Sequence, residues 1–447
     1  MGGKASLILV LGFSLIFLIF GFNYGTMTTN ATDNVVEYAE VHMAYYNAQS
    51  AANMVLSQWR EALENNTTYN PPSEIDFGNY GKATISLNTD HYSAGNTSIE
   101  SFYTLTINGT FQGEESEVEI KFNQGNFARF AYFSDNEGGN IWWTNNSIVN
   151  GPFHTNDDLR CYRNPVFNGK TTTYGGNVVL WDPSNPAQHS PIVAGDFYKD
   201  YKEMNFEAVS KYEAQAIGGG HYFSGHDKVY ITFAGDYIKY KFSATGTETT
   251  VAATTFAPNG VIYIKDGEVH IKGVVKGRYS VVAAGNVTMN TDYNVFGSVD
   301  KYGNITNKYT GKGNIFIDGD ITYNDNIDWD GDPSSSQDLL GIVAEQNVLV
   351  AQNSVNENNG VEIDGAIYCQ KGGFGVENYK NFNPGQDIRL RGGLTQNIRR
   401  TVGTFNSSTG NPSSGLTKDY QYDKRLEFMN PPSYPSSPDL RIYSWLE

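Results

Sequence analysis

The sequence has few cysteines and no cluster of basic residues. Its 447 residues include two cysteines, Cys161 and Cys369, which match neither metal-ligand spacing nor a redox CxxC pair. The formal net charge is -17, and nucleic-acid binding requires a basic patch that this chain lacks. The sequence therefore predicts no nucleic-acid partner. The cysteines are either two separate buried thiols or, in an oxidising compartment, one candidate disulfide.

Charge is also missing near the beginning of the chain. No charged residue stands between Lys4 and Asp33, and Ala5–Phe22 is an apolar run. At ~1.5 Å per helical residue, this run reaches across most of a ~30 Å hydrocarbon core. The rival interpretation is a cleaved secretory signal, but no convincing small-x-small cleavage site follows the run. We therefore predict a retained membrane anchor.

A helical stripe follows the apolar run. Its members recur at steps of three and four residues: Tyr38, Val41, Tyr45, Ala48, Ala52, Val55, Trp59 and Ala62. This spacing is one face of a continuous helix that ends at about Glu64. We assign residues 1–27 to the anchor, the start of a pilin-type helix, and residues 28–66 to its amphipathic extension.

Long helical periods are absent after Glu64, and the composition favours strands. The chain is rich in glycine (47 residues), tyrosine (30) and phenylalanine (25). Pro71–Pro72 cannot continue a helix and marks a boundary. Three alternating runs follow: Ala83, Ile85, Leu87; Tyr103, Leu105, Ile107; and Val118, Ile120, Phe122. They predict a small antiparallel sheet over residues 74–126, with its apolar face covered by the outer half of the helix.

Short glycine-punctuated blocks recur from Phe127 onward. Three pairs of segments resemble each other: Val282–Val287 with Val343–Val348, Ile317–Ile321 with Ile363–Ile367, and Val193–Phe197 with Phe233–Tyr237. Such cycles indicate stacked parallel coils, a β-helix or β-solenoid, over residues 127–447. Asn286 and Asn347 are then expected at equivalent turns. The proline-rich C-terminal tail is expected to pack over the final coil. An irregular β-sandwich is the alternative. The predicted fold class is mainly β with one long N-terminal helix.

Several strings resemble a known group of proteins. They are GPFHTNDDLRCYRNPVFNGK from Gly151, GGLTQNIRRTVGTF from Gly392 and GLTKDYQYDKRLEFMNPPSYP from Gly415. The first resembles the signature of an uncharacterised bacterial β-rich domain family, with Arg163 where a second glycine is usual. Its members are often labelled minor pilins or pilus-assembly proteins of the PilX type. The resemblance implies a non-enzymatic subunit of a type IV pilus or a type II secretion-like filament. It also implies other pilin subunits and the assembly machinery as partners.

The same resemblance implies processing near the N-terminus. Prepilin peptidases cut after a glycine, so Gly2 or Gly3 is the candidate position. The fifth mature residue would then be Leu7 or Ile8, where pilins normally carry Glu. A subunit without this Glu suits a filament tip or an assembly-priming role, anchored in the bacterial inner membrane before assembly with its body outside the cytoplasm. The alternatives are the main subunit of an unusual filament, or a membrane-anchored adhesin that binds surface glycans.

One constellation indicates a metal. Asp328, Asp330 and Asp332 place three carboxylates at alternate positions, the spacing with which a loop wraps calcium. The match to an EF-hand loop is partial, and a solvated acidic turn is the alternative. His221, His226 and Asp227 have a spacing that fits neither a helix face nor one face of a strand, so we predict no metal there.

Other polar and aromatic residues have local structural explanations. His154 is expected to be a turn residue that bonds backbone groups. Asp318, Asp320 and Asp364 lie in repeated IDG segments expected to be turns, so we predict no catalysis. The remaining group, Trp142, Trp143 and Trp181, is either part of the core or available for stacking on sugars.

Overall fold

The computed structural model describes residues 2–65, 67–94, 97–139, 141–199, 205–285, 311–325, 336–427 and 429–447. The chain is mainly β with one long N-terminal helix. It divides into two compact units. The N-terminal unit comprises Met1–Asp90, Ser101–Asn123 and Leu440–Glu447, and the β unit comprises His91–Glu100 and Gln124–Asp439.

Helix α1 runs without interruption through Gly2–Glu64. Its polar middle is helical as well, and threonine hydroxyls there bond to the preceding turn. Four of them donate to the carbonyl four residues earlier at 2.8–3.0 Å: Thr26, Thr28, Thr29 and Thr32. The predicted continuous helix ending at about Glu64 is confirmed.

The sheet of the N-terminal unit begins with β1 Glu74–Asp76, β2 Lys82–Ala94, β3 Thr97–Phe111 and β4 Glu114–Asn126. Strands β3 and β4 are antiparallel, with Tyr103 opposite Phe122, Leu105 opposite Ile120 and Ile107 opposite Val118. These alternating residues are the ones that predicted the sheet. The predicted small antiparallel sheet is therefore confirmed.

The outer half of α1 packs on this sheet. The buried helix residues are Ala48, Ala51, Ala52, Val55, Leu56 and Trp59, and they meet Ala83, Leu105, Ile107, Val118, Ile120 and Phe122. The ring centroid of Trp59 lies 4.8 Å from that of Tyr103 and 5.0 Å from that of Phe122. Tyr38 and Val41 began the predicted stripe, but both are exposed, so the packed stripe starts further along the helix.

Most of the remaining strands belong to the β unit, and the last one, β29 Ser436–Leu446, joins the sheet of the N-terminal unit. The first are β5 Tyr132–Asn136, β6 Ile148–Asn150, β7 Phe153–Thr155, β8 Leu159–Cys161, β9 Val166–Phe167, β10 Thr171–Thr173, β11 Val178–Leu180, β12 Ile192–Val193 and β13 Phe197–Tyr198. Next are β14 His221–Phe223, β15 Lys228–Gly235, β16 Tyr237–Lys241, β17 Thr249–Ala252, β18 Val261–Lys265, β19 Glu268–Val275, β20 Arg278–Ala284 and β21 Ile315–Tyr323.

The last strands are β22 Leu339–Ala344, β23 Val348–Val350, β24 Val361–Cys369, β25 Phe374–Val376, β26 Gln386–Ile398, β27 Gly403–Phe405, β28 Pro412–Tyr422 and β29 Ser436–Leu446. Four short helices accompany them: α2 Pro186–His189, α3 Tyr212–Gly219, α4 Ala253–Phe256 and α5 Ser354–Asn359.

Parallel ladders organise these strands. One ladder follows the order β14, β18, β20, β22, β24, β26, β5, β7, β10 and β13. The early strands β5, β7, β10 and β13 thus continue the ladder after β26, although they precede it in the sequence. A second ladder joins β15, β19, β21, β23 and β25. The β-helix or β-solenoid interpretation of this unit stays a prediction.

The repeats differ in how they align. Val282 is opposite Val343 in the parallel pair β20 and β22, as the first repeat predicted. The second repeat was misaligned, because Ile321, not Ile317, is opposite Ile363. The cause is a register shift in β21, where extra residues follow Ile317. The third repeat was also misaligned: Val193 is opposite Phe167, whereas β15 pairs with β16 and β19.

The end of the chain differs from its predicted position over the final coil. Strand β29 is the neighbour of β4 in the five-stranded sheet of order β1-β2-β3-β4-β29. Leu440 and Trp445 pack against the core of the N-terminal unit. Our prediction had assigned residues 127–447 to one domain, whereas Leu440–Glu447 groups with the helix. The physical reason is that a strand edge offers unpaired backbone groups, which another strand satisfies.

Candidate functional site

The β unit contains a cleft of about 900 Å³. Its lining includes charged and aromatic side chains: Trp142, Trp181, Glu377, Tyr379, Arg399, Arg400, Phe405 and Lys418. They come from the segments after β5, β11, β25 and β26 and from strands β27 and β28. Ligand sites are commonly concave and mainly apolar, with a few convergent polar groups. This cleft is therefore the candidate binding site.

A buried carboxylate stands behind the cleft. Glu137 is fully buried and accepts hydrogen bonds from the Tyr132 hydroxyl at 2.8 Å, the Trp143 Nε1 at 2.8 Å and the Arg399 Nη1 at 2.6 Å. The Ser134 hydroxyl also donates to it. A buried charge is tolerated where it is paired and hydrogen-bonded. Glu137 thus fixes Arg399 at the wall of the cleft.

Two cations lie against the indole ring of Trp143. The Arg399 Cζ is 4.0 Å and the Lys418 Nζ is 4.7 Å from its ring centroid. Burial holds the pKa of Lys418 well below its ordinary value, and the Arg399 charge lowers it further, while Glu137 opposes the shift. Trp143 itself is fully buried, so of the two alternatives given for it the core position is the one observed.

Aromatic rings form another part of the lining. The centroids of Trp142 and Trp181 are 5.0 Å apart with an interplanar angle of 73°. Tyr162 meets Trp181 at 5.2 Å and Phe405 at 4.7 Å. Trp181 retains 43% of its exposure. These edge-to-face contacts hold Trp181 in place while part of its ring stays accessible.

His154 has a different role from the one predicted. It lies buried in β7, with Nδ1 2.7 Å from the Thr172 Oγ1 and Nε2 2.9 Å from the Asn156 Oδ1. Its ring stacks on Phe133 at 5.1 Å. Burial lowers the pKa of His154 to about 4. It is thus a neutral strand residue that bonds side chains, and the predicted turn residue bonded to backbone groups is wrong.

The three IDG aspartates lie in strands and not in turns. Asp318 and Asp320 belong to the irregular part of β21, and Asp320 accepts from the Glu362 backbone N–H at 2.8 Å. Asp364 lies in β24 and accepts from the Tyr323 N–H at 2.9 Å. Burial raises the pKa of Asp364 to about 7, against the effect of that hydrogen bond.

An ion-pair chain that the sequence reasoning missed lies on β15, β19 and β21. His270 lies 2.9 Å from the Glu268 carboxylate and 2.8 Å from the Asp318 carboxylate, and Lys228 also pairs with Glu268. Burial lowers the pKa of His270, but the two carboxylates raise it above its ordinary value. The alternation of Glu268 and His270 on one strand face was the available signal.

Asparagines link neighbouring turns of the β unit. The Asn347 Nδ2 donates to the Asn314 Oδ1 at 3.0 Å, and the Asn347 Oδ1 accepts from the Gly373 N–H at 3.0 Å. The predicted partner, Asn286, lies outside the described residues. Asn347 does bond the backbone of an adjacent segment, but in this part of the structure Asn314 is the asparagine beside it.

The predicted metal and cysteine residues can be placed only in part. Asp328, Asp330 and Asp332 lie outside the described residues, so the calcium loop stays a prediction. Among the described residues, no group of three His, Cys, Asp or Glu side chains is arranged to hold a metal ion. Cys161 and Cys369 are buried free thiols, and burial raises the pKa of each to about 12.

The histidines near β14 contact aromatic rings. His221 stacks on Phe256 with a centroid distance of 3.9 Å, and its Nδ1 lies 3.0 Å from the Phe256 carbonyl oxygen. His226 stacks on Phe242 at 3.6 Å. These contacts give both rings a packing role.

Comparison with known proteins gives a partial family match and similar solved structures. Residues 83–176 match a family described as a domain of unknown function, DUF4900. No curated protein matches the chain. Among solved structures, the chain is similar to the competence-associated pilin ComZ from Thermus thermophilus, with 12% identity over 91% of this chain and 97% of that chain and a TM-score of 0.32. The family match covers less than half of the chain, and it includes the string from Gly151 to Lys170.

Proposed function

We propose that this chain is a non-enzymatic subunit of a pilin-type surface filament, anchored by α1 before assembly. The observation that carries the proposal is the contrast between the two halves of one continuous helix. From Ala44 to Trp59 the helix is fixed in the core of its own unit. From Leu7 to Met27 its large apolar side chains are exposed.

Such a surface needs a cover. The exposed side chains include Leu7 at 65%, Phe17 at 72% and Phe22 at 75%. Each Å² of apolar surface in water costs about 25 cal/mol, so a bare helix of this length does not persist in water. Of the described helices, α1 is the one that is long and apolar enough to cross a membrane. A bilayer before assembly, and the helices of neighbouring subunits afterwards, would each cover it.

The finer proposal is a minor subunit at the filament tip or in assembly priming. If processing occurs after Gly2 or Gly3, the fifth mature residue is Leu7 or Ile8 and not Glu. A carboxylate buried among apolar helices requires a partner charge, which a neighbouring subunit's amine would supply. A subunit at the end of the filament has no neighbour above it and can lack this Glu. Its partners are then other pilin subunits and the assembly machinery.

Cysteine crosslinking tests the helix contact between subunits. The native cysteines are buried thiols with raised pKa values, so they react poorly. In whole cells, Phe17→Cys on α1 should give crosslinked adducts with a bifunctional thiol reagent, because neighbouring helices cover this position. Tyr80→Cys is the matched control, since Tyr80 is 64% exposed on the same unit but outside the apolar half of α1. Equal adduct yields from both variants would contradict the proposal.

Location in the filament is tested by labelling and by deletion. Immunogold label at fibre ends is expected for a tip subunit, label along the fibre for a main subunit, and label confined to the cell envelope for an anchored adhesin. Deleting the gene should reduce the number of surface filaments. Unchanged filament number, adhesion and secretion would defeat the filament role altogether.

A further inference from the structure

We propose that the cleft in the β unit binds an acidic saccharide, with sugar rings against Trp142 and Trp181 and a carboxylate near Arg399 and Lys418. The proposal concerns the β unit and does not depend on how the chain is assembled or anchored.

The charge of the cleft is the first argument. The chain carries a net charge of -17, yet the described lining of the cleft has three basic side chains, Arg399, Arg400 and Lys418, and one carboxylate, Glu377. Because the buried Glu137 compensates the charge of Arg399, the excess of basic groups comes from Arg400 and Lys418. The Glu377 carboxylate already accepts a hydrogen bond from the Gln352 N–H at 2.9 Å. A local excess of positive charge in an otherwise acidic protein favours an anionic ligand and repels cationic ones.

Unused hydrogen-bonding capacity is the second argument. Arg399 is 2% exposed, and its Nε–H has no acceptor within the described structure. The half-buried Lys418 places its Nζ 4.7 Å from the centroid of the Trp143 ring. Buried donors without acceptors are costly. A ligand carboxylate in the cleft would accept from the Lys418 amine beside Arg399 and would be favoured over an uncharged hydroxyl.

The aromatic rings restrict the kind of anion. Trp181 is 43% exposed and is held by Trp142 and Tyr162. A sugar presents a face of C–H groups that packs on an indole ring, whereas inorganic phosphate offers no such face. A volume of about 900 Å³ also exceeds what a single ion needs and is in the range of organic-ligand sites. A uronic acid combines the ring face and the carboxylate in one unit.

Binding should be coupled to proton uptake. Burial lowers the pKa of Lys418, and a carboxylate placed beside the amine in the cleft would favour the ammonium form. Lys418 then takes a proton from solvent as the ligand enters. A neutral saccharide has no charge with which to drive this uptake.

The experiment is calorimetric titration of the full-length chain in detergent micelles. The probe is a hexamer of galacturonic acid, and the matched control ligand is the same hexamer with its carboxylates methyl-esterified. We expect the acid to bind at least tenfold more tightly than the ester. Titrations in buffers of different ionisation enthalpy should show proton uptake with the acid and none with the ester. Equal affinities for the two ligands would overturn the proposal.

Variants locate the site. Trp181→Ala should weaken binding at least tenfold, and Lys418→Met should abolish the proton uptake. Tyr237→Ala and Lys276→Met remove an exposed aromatic ring and an exposed cation outside the cleft lining and should change neither. If Trp181→Ala or Lys418→Met does not fold, as judged by circular dichroism, the milder variants Trp181→Phe and Lys418→Arg are used instead. The phenyl ring should retain part of the affinity, and the permanent arginine charge should remove the proton uptake.

Two further results would overturn the proposal. Unchanged affinity in Trp181→Ala would exclude stacking in this cleft. Tighter binding of polyphosphate than of the galacturonate hexamer would show a site for phosphate and not for a sugar acid. Loss of filaments or of crosslinking in the filament experiments would leave these titrations unaffected, so the two proposals fail separately.

Discussion

At the scale of single residues, Asp364 gives this protein a pH-dependent stability. Burial raises the pKa of this side chain from 3.8 to about 7. The folded state therefore keeps a proton that the unfolded chain releases at lower pH. Stability from this group is greatest at acidic pH and falls as the pH rises through the interval between those two values.

Asp364→Asn removes this dependence. The asparagine keeps an acceptor for the Tyr323 N–H but has no charge to bury. At about pH 8 the variant should be more stable than the parent by up to about 4 kcal/mol. At about pH 4 the two should be equal, because Asp364 is then protonated. Urea unfolding at the two pH values measures the difference, and a gap that does not change with pH would contradict the explanation.

Glu137 is the second residue with a specific energetic role. Glu137→Gln leaves Arg399 buried without its counter-charge, although the two are joined at 2.6 Å in the parent. Removing one member of a buried ion pair costs about 3 kcal/mol or more. The double variant Glu137→Gln with Arg399→Met should recover much of this loss. Unfolding of the parent, the single variant and the double variant tests this prediction. A double variant as unstable as the single one would show that packing and not charge was lost.

At the scale of elements, Gly109 sets how closely β3 approaches α1. A Cβ at this position would lie 2.1 Å from the Ala44 carbonyl oxygen and 2.5 Å from the Ala48 nitrogen. Both atoms belong to the helix backbone and cannot rotate away. The small side chains of Ala44 and Ala48 allow this contact, which brings the helix onto the sheet.

Gly109→Ala should separate helix and sheet and destabilise the N-terminal unit by at least about 2 kcal/mol. The matched control is Gly218→Ala in α3, where an added Cβ meets nothing within 4 Å. There the exchange should be neutral or slightly stabilising, because alanine favours helix. Thermal unfolding measures both, and a neutral effect at position 109 would show that the two elements adjust freely.

At the scale of the whole molecule, the apolar half of α1 is separable from the folded body. Removing residues 2–27 deletes side chains that are exposed and leaves the packed stretch from Ala44 to Trp59 intact. The truncated chain should move from the membrane fraction to the soluble fraction. Its thermal midpoint should match that of the parent. A lowered midpoint, or retention in the membrane fraction, would show that this half does more than anchor the chain.

How well the sequence predicts each part of the fold depends on how far apart in the chain the interacting residues lie. Apolar periodicity predicted α1 and strands β2 to β4, because a side chain's position on a helix or strand depends on its near neighbours. The register between strands that are distant in the sequence is harder to predict. Val282 and Val343 were aligned correctly, but the irregularity after Ile317 shifted the next repeat. Extra residues in one strand cannot be recognised from short similar strings.

The site was less accessible to sequence reasoning than the fold. Trp142 and Trp181 were singled out, and both line the cleft. Glu137 and Arg399 were not, because they are separated by 262 residues and meet only where β5 lies beside β26. No local pattern marks a pair that the sheet order brings together.

The sequence by itself determined the apolar helix, its packed outer half and the β-rich body, since these follow from composition and local periodicity. The tertiary structure alone decided which strands are neighbours, that β29 lies beside β4, and that Glu137, Arg399 and Lys418 surround one indole ring. The physical reason is that backbone hydrogen bonds of a sheet can join any two segments. The choice among partners depends on the packing of the entire unit.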